Sequence, residues 1–110
     1  MLKESDFLKI RTAVPIENTA QVRQAMIEAG AGQQGNYAGC SITIRSTGRF
    51  LPLAGAKPTI GVVGKEQEVE EDIIEMLCHK NKVKNVIKAL KKAHPYEEPM
   101  IDIIPKLEIN

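Results

Sequence analysis

The spacing of apolar residues switches from the period of a strand to that of a helix and back, twice along the chain. Residues 7–14 put Leu8, Ile10, Thr12 and Val14 on one side and Lys9 and Arg11 on the other, the alternation of a half-buried strand. After Pro15, Val22, Ala25, Met26 and Ala29 recur at helical spacing. Asn18 or Thr19 is placed to cap that helix, and Gly30 and Gly32 to stop it. Residues 37–47 alternate again, with Cys40, Ile42 and Ile44 against Ser41, Thr43 and Arg45. Residues 48–64 carry Gly48, Pro52, Gly55, Pro58, Gly61 and Gly64, and read as one long loop. Residues 68–78 form a third, acidic strand, apolar on both faces. Residues 82–93 carry the stripe Val83, Val86, Ile87, Leu90 and Ala93, which Pro95 terminates, and residues 100–104 make the last strand. The β-α-β-β-α-β order points to an α+β, ferredoxin-like fold: a four-stranded antiparallel sheet with two helices on one face. Residues 1–110 are expected to form a single domain. The uncovered face of the sheet asks for a partner subunit.

Charge and composition narrow the function classes. Fifteen Lys and Arg against fourteen Asp and Glu leave none of the basic excess of a nucleic-acid binder. Aromatics are 4% and Trp is absent, too few for base-stacking platforms. No apolar run is long enough to span a membrane. Met1-Leu2-Lys3-Glu4-Ser5-Asp6 turns acidic before any apolar stretch, unlike a signal peptide, so a cytoplasmic protein with reduced thiols is expected.

Several motifs read more simply than they first look. Gly30-x-Gly32-x-x-Gly35 spells a dinucleotide fingerprint, but it follows a helix and opens a strand, the reverse of what phosphate binding needs. It reads as a helix stop and tight turn. Lys80, Lys82, Lys84, Lys88, Lys91 and Lys92 stripe the second helix as its solvated face. Cys78 with His79, joined by Cys40 if strands two and three pair, offers soft metal ligands, yet lacks any C-x-x-C or H-x-x-H spacing. Glu71 and Glu75 share one face of strand three about 13 Å apart, too far for joint acid–base work. The most specific segment is His94-Pro95-Tyr96-Glu97-Glu98-Pro99. His94 ends a helix, where the dipole favours a protonated imidazole, and the two prolines stiffen the joint into the last strand. The joint is expected to be chiefly architectural, with Tyr96 contributing more than His94. Glu97 and Glu98 sit where the dipole disfavours them, so Arg45, Arg49 or a neighbour's lysine is expected to compensate.

The chain resembles the domain inserted in Nif-three-like, YqfO-type proteins. The resemblance rests on Val14-Pro15; on Ala29-Gly30-Ala31-Gly32 with Gly35-Asn36-Tyr37 and Cys40-Ser41; on Gly48-x-Phe50-x-Pro52-Leu53-x-Gly55-Ala56-x-Pro58 with Ile60-Gly61; on Glu68-Val69-Glu70-Glu71; and on the 94–99 joint followed by Asp102. It implies a fold of the CutA and nitrogen-regulatory P-II kind, in which CutA-type proteins show a similar His-Pro-Tyr joint. The full-length family carries a dinuclear metal centre in flanking segments that this sequence does not include, so its hydrolase-type activity is not carried over. Ile73 stands where the family pattern leads one to expect a basic residue on strand three.

The function expected from these readings is non-catalytic: an oligomeric, regulatory or sensor-type module that binds a small ligand or a protein partner. His94, Tyr96, Glu97, Glu98 and Arg49 are the candidate ligand-binding residues. The resemblance implies a homotrimer, with a dimer as the other option, and no cofactor. The alternative is a CutA-style protein that binds a divalent metal through Cys40, Cys78 or His94.

Overall fold

The computed structural model describes residues 1–109. Strand β1 runs over Leu2–Pro15, and a 3-10 turn at Ile16–Asn18 leads into helix α1, Thr19–Glu28. Strands β2 (Ile42–Phe50) and β3 (Gln67–His79) follow, then a second 3-10 turn, helix α2 (Val83–Ala93) and strand β4 (Ile101–Ile109). The sheet order is β2-β3-β1-β4, and every pairing is antiparallel. This is the ferredoxin-like arrangement.

The core lies between the sheet and the two helices. Ile10 and Val14 of β1 and Ile74, Met76 and Cys78 of β3 meet Val22 and Met26 of α1 and Val86 and Leu90 of α2. Alternation places each of these strand residues on the helix side. Of the two helices, α2 has the sharper division: its lysines are exposed, while Val86 and Leu90 are fully buried.

The register sets the composition of the opposite face. Ile44 stands beside Ile73, Ile42 beside Glu75, and Lys9 between Leu77 and Ile104. Ile42 and Ile44 remain about half exposed. Glu75 lies 3.6 Å from Lys9 and 3.9 Å from Arg11, so its partners come from β1 rather than from position 73. Arg11 Nε is enclosed without a hydrogen-bond acceptor among the described residues.

The element bounds differ from the sequence reading in informative places. β2 begins at Ile42, not at 37, because Gly35 and Gly39 take positive φ and residues 32–41 fold into turns. Gly32 donates to the Leu77 carbonyl and accepts from Cys40 N–H, and Arg23 binds the Gly39 carbonyl and the Ser41 hydroxyl. Gly48 sits inside β2 opposite Val69, so the loop starts only after Phe50. β4 extends to Ile109 through Pro105, which an edge strand tolerates because it has a neighbour on only one side. Neither Asn18 nor Thr19 caps α1: Asn18 makes no side-chain cap bond, and the Thr19 hydroxyl donates to Asp72 instead.

Leu90→Ala empties a fully buried position and is expected to cost about 2–5 kcal/mol in urea unfolding. Lys88→Ala on the exposed face of the same helix should stay within about 0.5 kcal/mol of the parent.

Candidate functional site

At the end of the sheet where β1 and β2 finish and β3 and β4 begin, the 94–99 joint and the loop after β2 enclose a cleft of about 880 Å³. The joint forms because α2 cannot continue into Pro95: His94 leaves the helix with extended backbone, its N–H still bonded to the Leu90 carbonyl. The loop is tied to the joint at two points. The Thr59 hydroxyl donates to the Pro95 carbonyl at 2.6 Å, and Lys57 N–H donates to Glu97 Oε1 at 3.2 Å. A bond from Gly64 N–H to the Pro52 carbonyl closes the loop's own base.

His94 is a buried strut. Its Nδ1 accepts from Tyr96 N–H at 3.1 Å, which leaves Nε2 as the protonated nitrogen, donating to the Ala13 carbonyl at 2.7 Å. A second proton on Nδ1 would confront the Tyr96 N–H. Burial, the largest influence, holds the imidazole below its ordinary pKa, against the raising effects of the Ala13 bond and the Glu71 charge. The protonated imidazole expected from the helix dipole is therefore not what the fold selects. His94 is 5% exposed, whereas Tyr96 is partly buried.

Tyr96 reaches into the cleft and donates its hydroxyl to Glu71 Oε2 at 2.8 Å. Its ring lies 5.0 Å from His94 and 6.2 Å from Phe50 between centroids. Burial first, then the bond to Glu71 and its charge, push the hydroxyl far above its usual pKa. Glu71 is 7% exposed and has no Lys or Arg within salt-bridge distance among the described residues. Gly48 makes room for it, because any Cβ there would collide with the Glu71 carboxylate.

Of the residues singled out in sequence, Arg49, Tyr96, Glu97 and Glu98 line the cleft, and His94 stands behind Tyr96. The expected compensation of Glu97 and Glu98 by arginine does not occur within the chain. Arg45 pairs with Asp72 at 2.9 Å and Arg49 with Glu68 at 3.2 Å. Sequence reasoning missed Glu71, Gly48 and Phe50 as parts of this site. The usable signal was the strand register, which sets Gly48 and Ser46 beside Val69 and Glu71. The candidate metal ligands are not gathered in one subunit. Cys78 is in the core, Cys40 is in the turns around Gly32, and His79 caps the second 3-10 turn and packs edge-on against Phe7. Among the described residues no three His, Cys, Asp or Glu stand close enough to hold a metal.

Because the folded state resists protonating His94, the unfolded chain binds the extra proton as pH falls below the ordinary value of 6.5. His94 thus adds stability above that value, and the gain drains away as pH falls from 6.5 toward the lowered folded value. The urea midpoint should drop between about pH 7 and pH 5, and His94→Gln should flatten that drop. Asp72, held low chiefly by the Thr19 hydroxyl bond and next by Arg45, acts in a separate window, below 3.8. Gly48→Ala displaces Glu71 and strands the Tyr96 hydroxyl, at an expected cost of about 1–3 kcal/mol in the same measurement.

No protein-family model matches the chain. A GTP cyclohydrolase 1 type 2 homolog of Mycobacterium tuberculosis is 47% identical over 90 residues, which are 82% of this chain and 24% of that protein. The chain thus spans about a quarter of the length of the curated relatives it matches. The crystal structure of a Bacillus cereus protein related to NIF3 superposes with a TM-score of 0.80 at 36% identity, over 96% of this chain and 26% of that one. CutA from Archaeoglobus fulgidus, a periplasmic divalent cation tolerance protein, superposes with a TM-score of 0.66 at 19% identity, over 91% and 83% of the two chains, a likeness of fold alone. Across most of its length the chain is a homologue of one segment of the Nif3/YqfO-type GTP cyclohydrolase 1 type 2 homologs, and it carries the CutA-like, ferredoxin-like fold.

Proposed function

We propose that this is a non-catalytic, regulatory or sensor-type module that binds a small ligand in the cleft between the joint and the loop, and works as a homo-oligomer, most simply a trimer. The observation that carries the reading is the cleft itself: about 880 Å³, with apolar walls and a few converging polar groups, the make-up of a ligand site. Both histidines are engaged in structural bonds, which argues against a general base. Self-association is supported by the half-exposed Ile42 and Ile44 on the uncovered sheet face and by the exposed Leu51 and Leu53. Arg11 Nε, enclosed and unbonded, has an acceptor to gain there. Free Cys40 and Cys78 suit a reducing compartment such as the cytoplasm. Among the described residues no helix is long and apolar enough to cross a membrane.

Native mass spectrometry of the protein after incubation with a small-metabolite extract tests both parts. The expected species is a trimer of the 12.1 kDa chain that retains the mass of a small molecule and loses it in the cleft-filling variant Ala56→Trp. A monomer overturns the assembly, a dimer only its size. Retention of no small mass under any extract condition overturns the ligand reading.

A further inference from the structure

The polar groups of the cleft are unbalanced in a way that selects its ligand. Glu71, Glu97 and Glu98 all line it, and the only cationic side chain among its lining residues is Arg49, whose Nε is already 3.2 Å from Glu68. Glu71 is the decisive group. It is 7% exposed, yet lines the cleft and has no cation in reach among the described residues. Oε2 takes the Tyr96 hydroxyl, while Oε1 lies beside Gly48 and accepts no hydrogen bond from the described residues. Its free carboxylate edge is open to the cleft with no counter-ion beside it among the described residues, so an incoming cation can take it. Tyr96 bonds the carboxylate directly, and Phe50 lines the same cleft with its ring centroid 6.2 Å from that of Tyr96. Aromatic faces attract organic cations and also bury an apolar body.

We propose that the cleft takes a small organic amine, its ammonium group on the Glu71 carboxylate and its apolar body against Phe50 and Tyr96. This rests on the ligand-binding reading of the cleft and names the chemical class. An ammonium group donates up to three hydrogen bonds, which suits a carboxylate edge flanked by further acidic side chains. An anionic ligand would meet three carboxylates and an arginine that Glu68 already holds.

Three probes of one shape separate the possibilities: benzylamine, benzyl alcohol and benzoate, titrated by calorimetry against the unaltered protein at neutral pH. Benzylammonium should bind at least about tenfold more tightly than the alcohol, the size expected of a bond to a charged group, and benzoate should bind most weakly. Glu71→Gln keeps an acceptor for Tyr96 and removes the charge, and should abolish the preference for the amine. Equal binding of amine and alcohol overturns the proposal in favour of apolar recognition, and stronger binding of benzoate overturns it in favour of Arg49. No binding of benzylammonium at millimolar concentration also overturns it, while a small mass retained in the native spectrum would leave the broader reading standing. The probe comparison needs no variant, so it decides the matter even if Glu71→Gln fails to fold.

Discussion

Adjacent residues of a strand point to opposite faces of the sheet, and β3 uses this at one place to tie the whole molecule together. Glu71 and Asp72 are both more than nine-tenths buried, on opposite sides of the same strand. Asp72 faces the helices and accepts from the Thr19 hydroxyl at the start of α1 and from Arg45 of β2. Glu71 faces away and accepts from Tyr96, beyond the end of α2. Two neighbouring carboxylates thus fix the entry of one helix, the exit of the other and the edge strand. Buried carboxylates stay in place only when hydrogen-bonded, so each partner is needed for the other's position. At these two positions the acidity of the third strand is the clasp of the fold.

The plan of the fold was legible because two physical periods alternate in the chain. The stripe of α2 and the alternation of β1 and β3 each bury one face, and nothing local contradicts them. Legibility fails where backbone geometry rather than side-chain pattern decides. Residues 37–41 alternate as a strand does, but glycines at 35 and 39 turn the chain and the Gly32 backbone bonds take it out of the sheet. Gly48 looks like the start of a loop and is a strand residue whose missing side chain admits a carboxylate. The 94–99 joint could be read as a joint. Its chemistry could not, because the neutral state of His94 follows from its burial in the folded chain, and the Ala13 carbonyl that its ring nitrogen bonds lies 81 residues away in sequence.

The same distinction separates what was and was not seen of the site. Arg49, Tyr96, Glu97 and Glu98 attract notice as residue types in an unusual segment. Glu71 does not, because sequence pairs it with Glu75, four positions on. The fold gives those two carboxylates unlike surroundings. Glu75 lies on the sheet between Lys9 and Arg11, and Glu71 lies under Tyr96 with no cation beside it among the described residues. Identical chemistry becomes an ion pair on the sheet in one case and a cleft-facing group in the other, and the difference is made by which strand ends where.

The way the loop is held also bears on how the cleft can respond to an occupant. Most of residues 51–66 are exposed and pack little against the core. Two bonds to the joint and one across the loop's base define its position, each through groups that water can also satisfy. Segments with few buried contacts open at low free-energy cost. The floor is the opposite: His94 and Glu71 are buried and joined through Tyr96, and Gly48 abuts the Glu71 carboxylate. The cleft thus pairs a firmly held acidic floor with a loosely tethered wall. The uncovered sheet face continues from that floor, since Ser46 and Ile44 follow Gly48 along β2 on the same side.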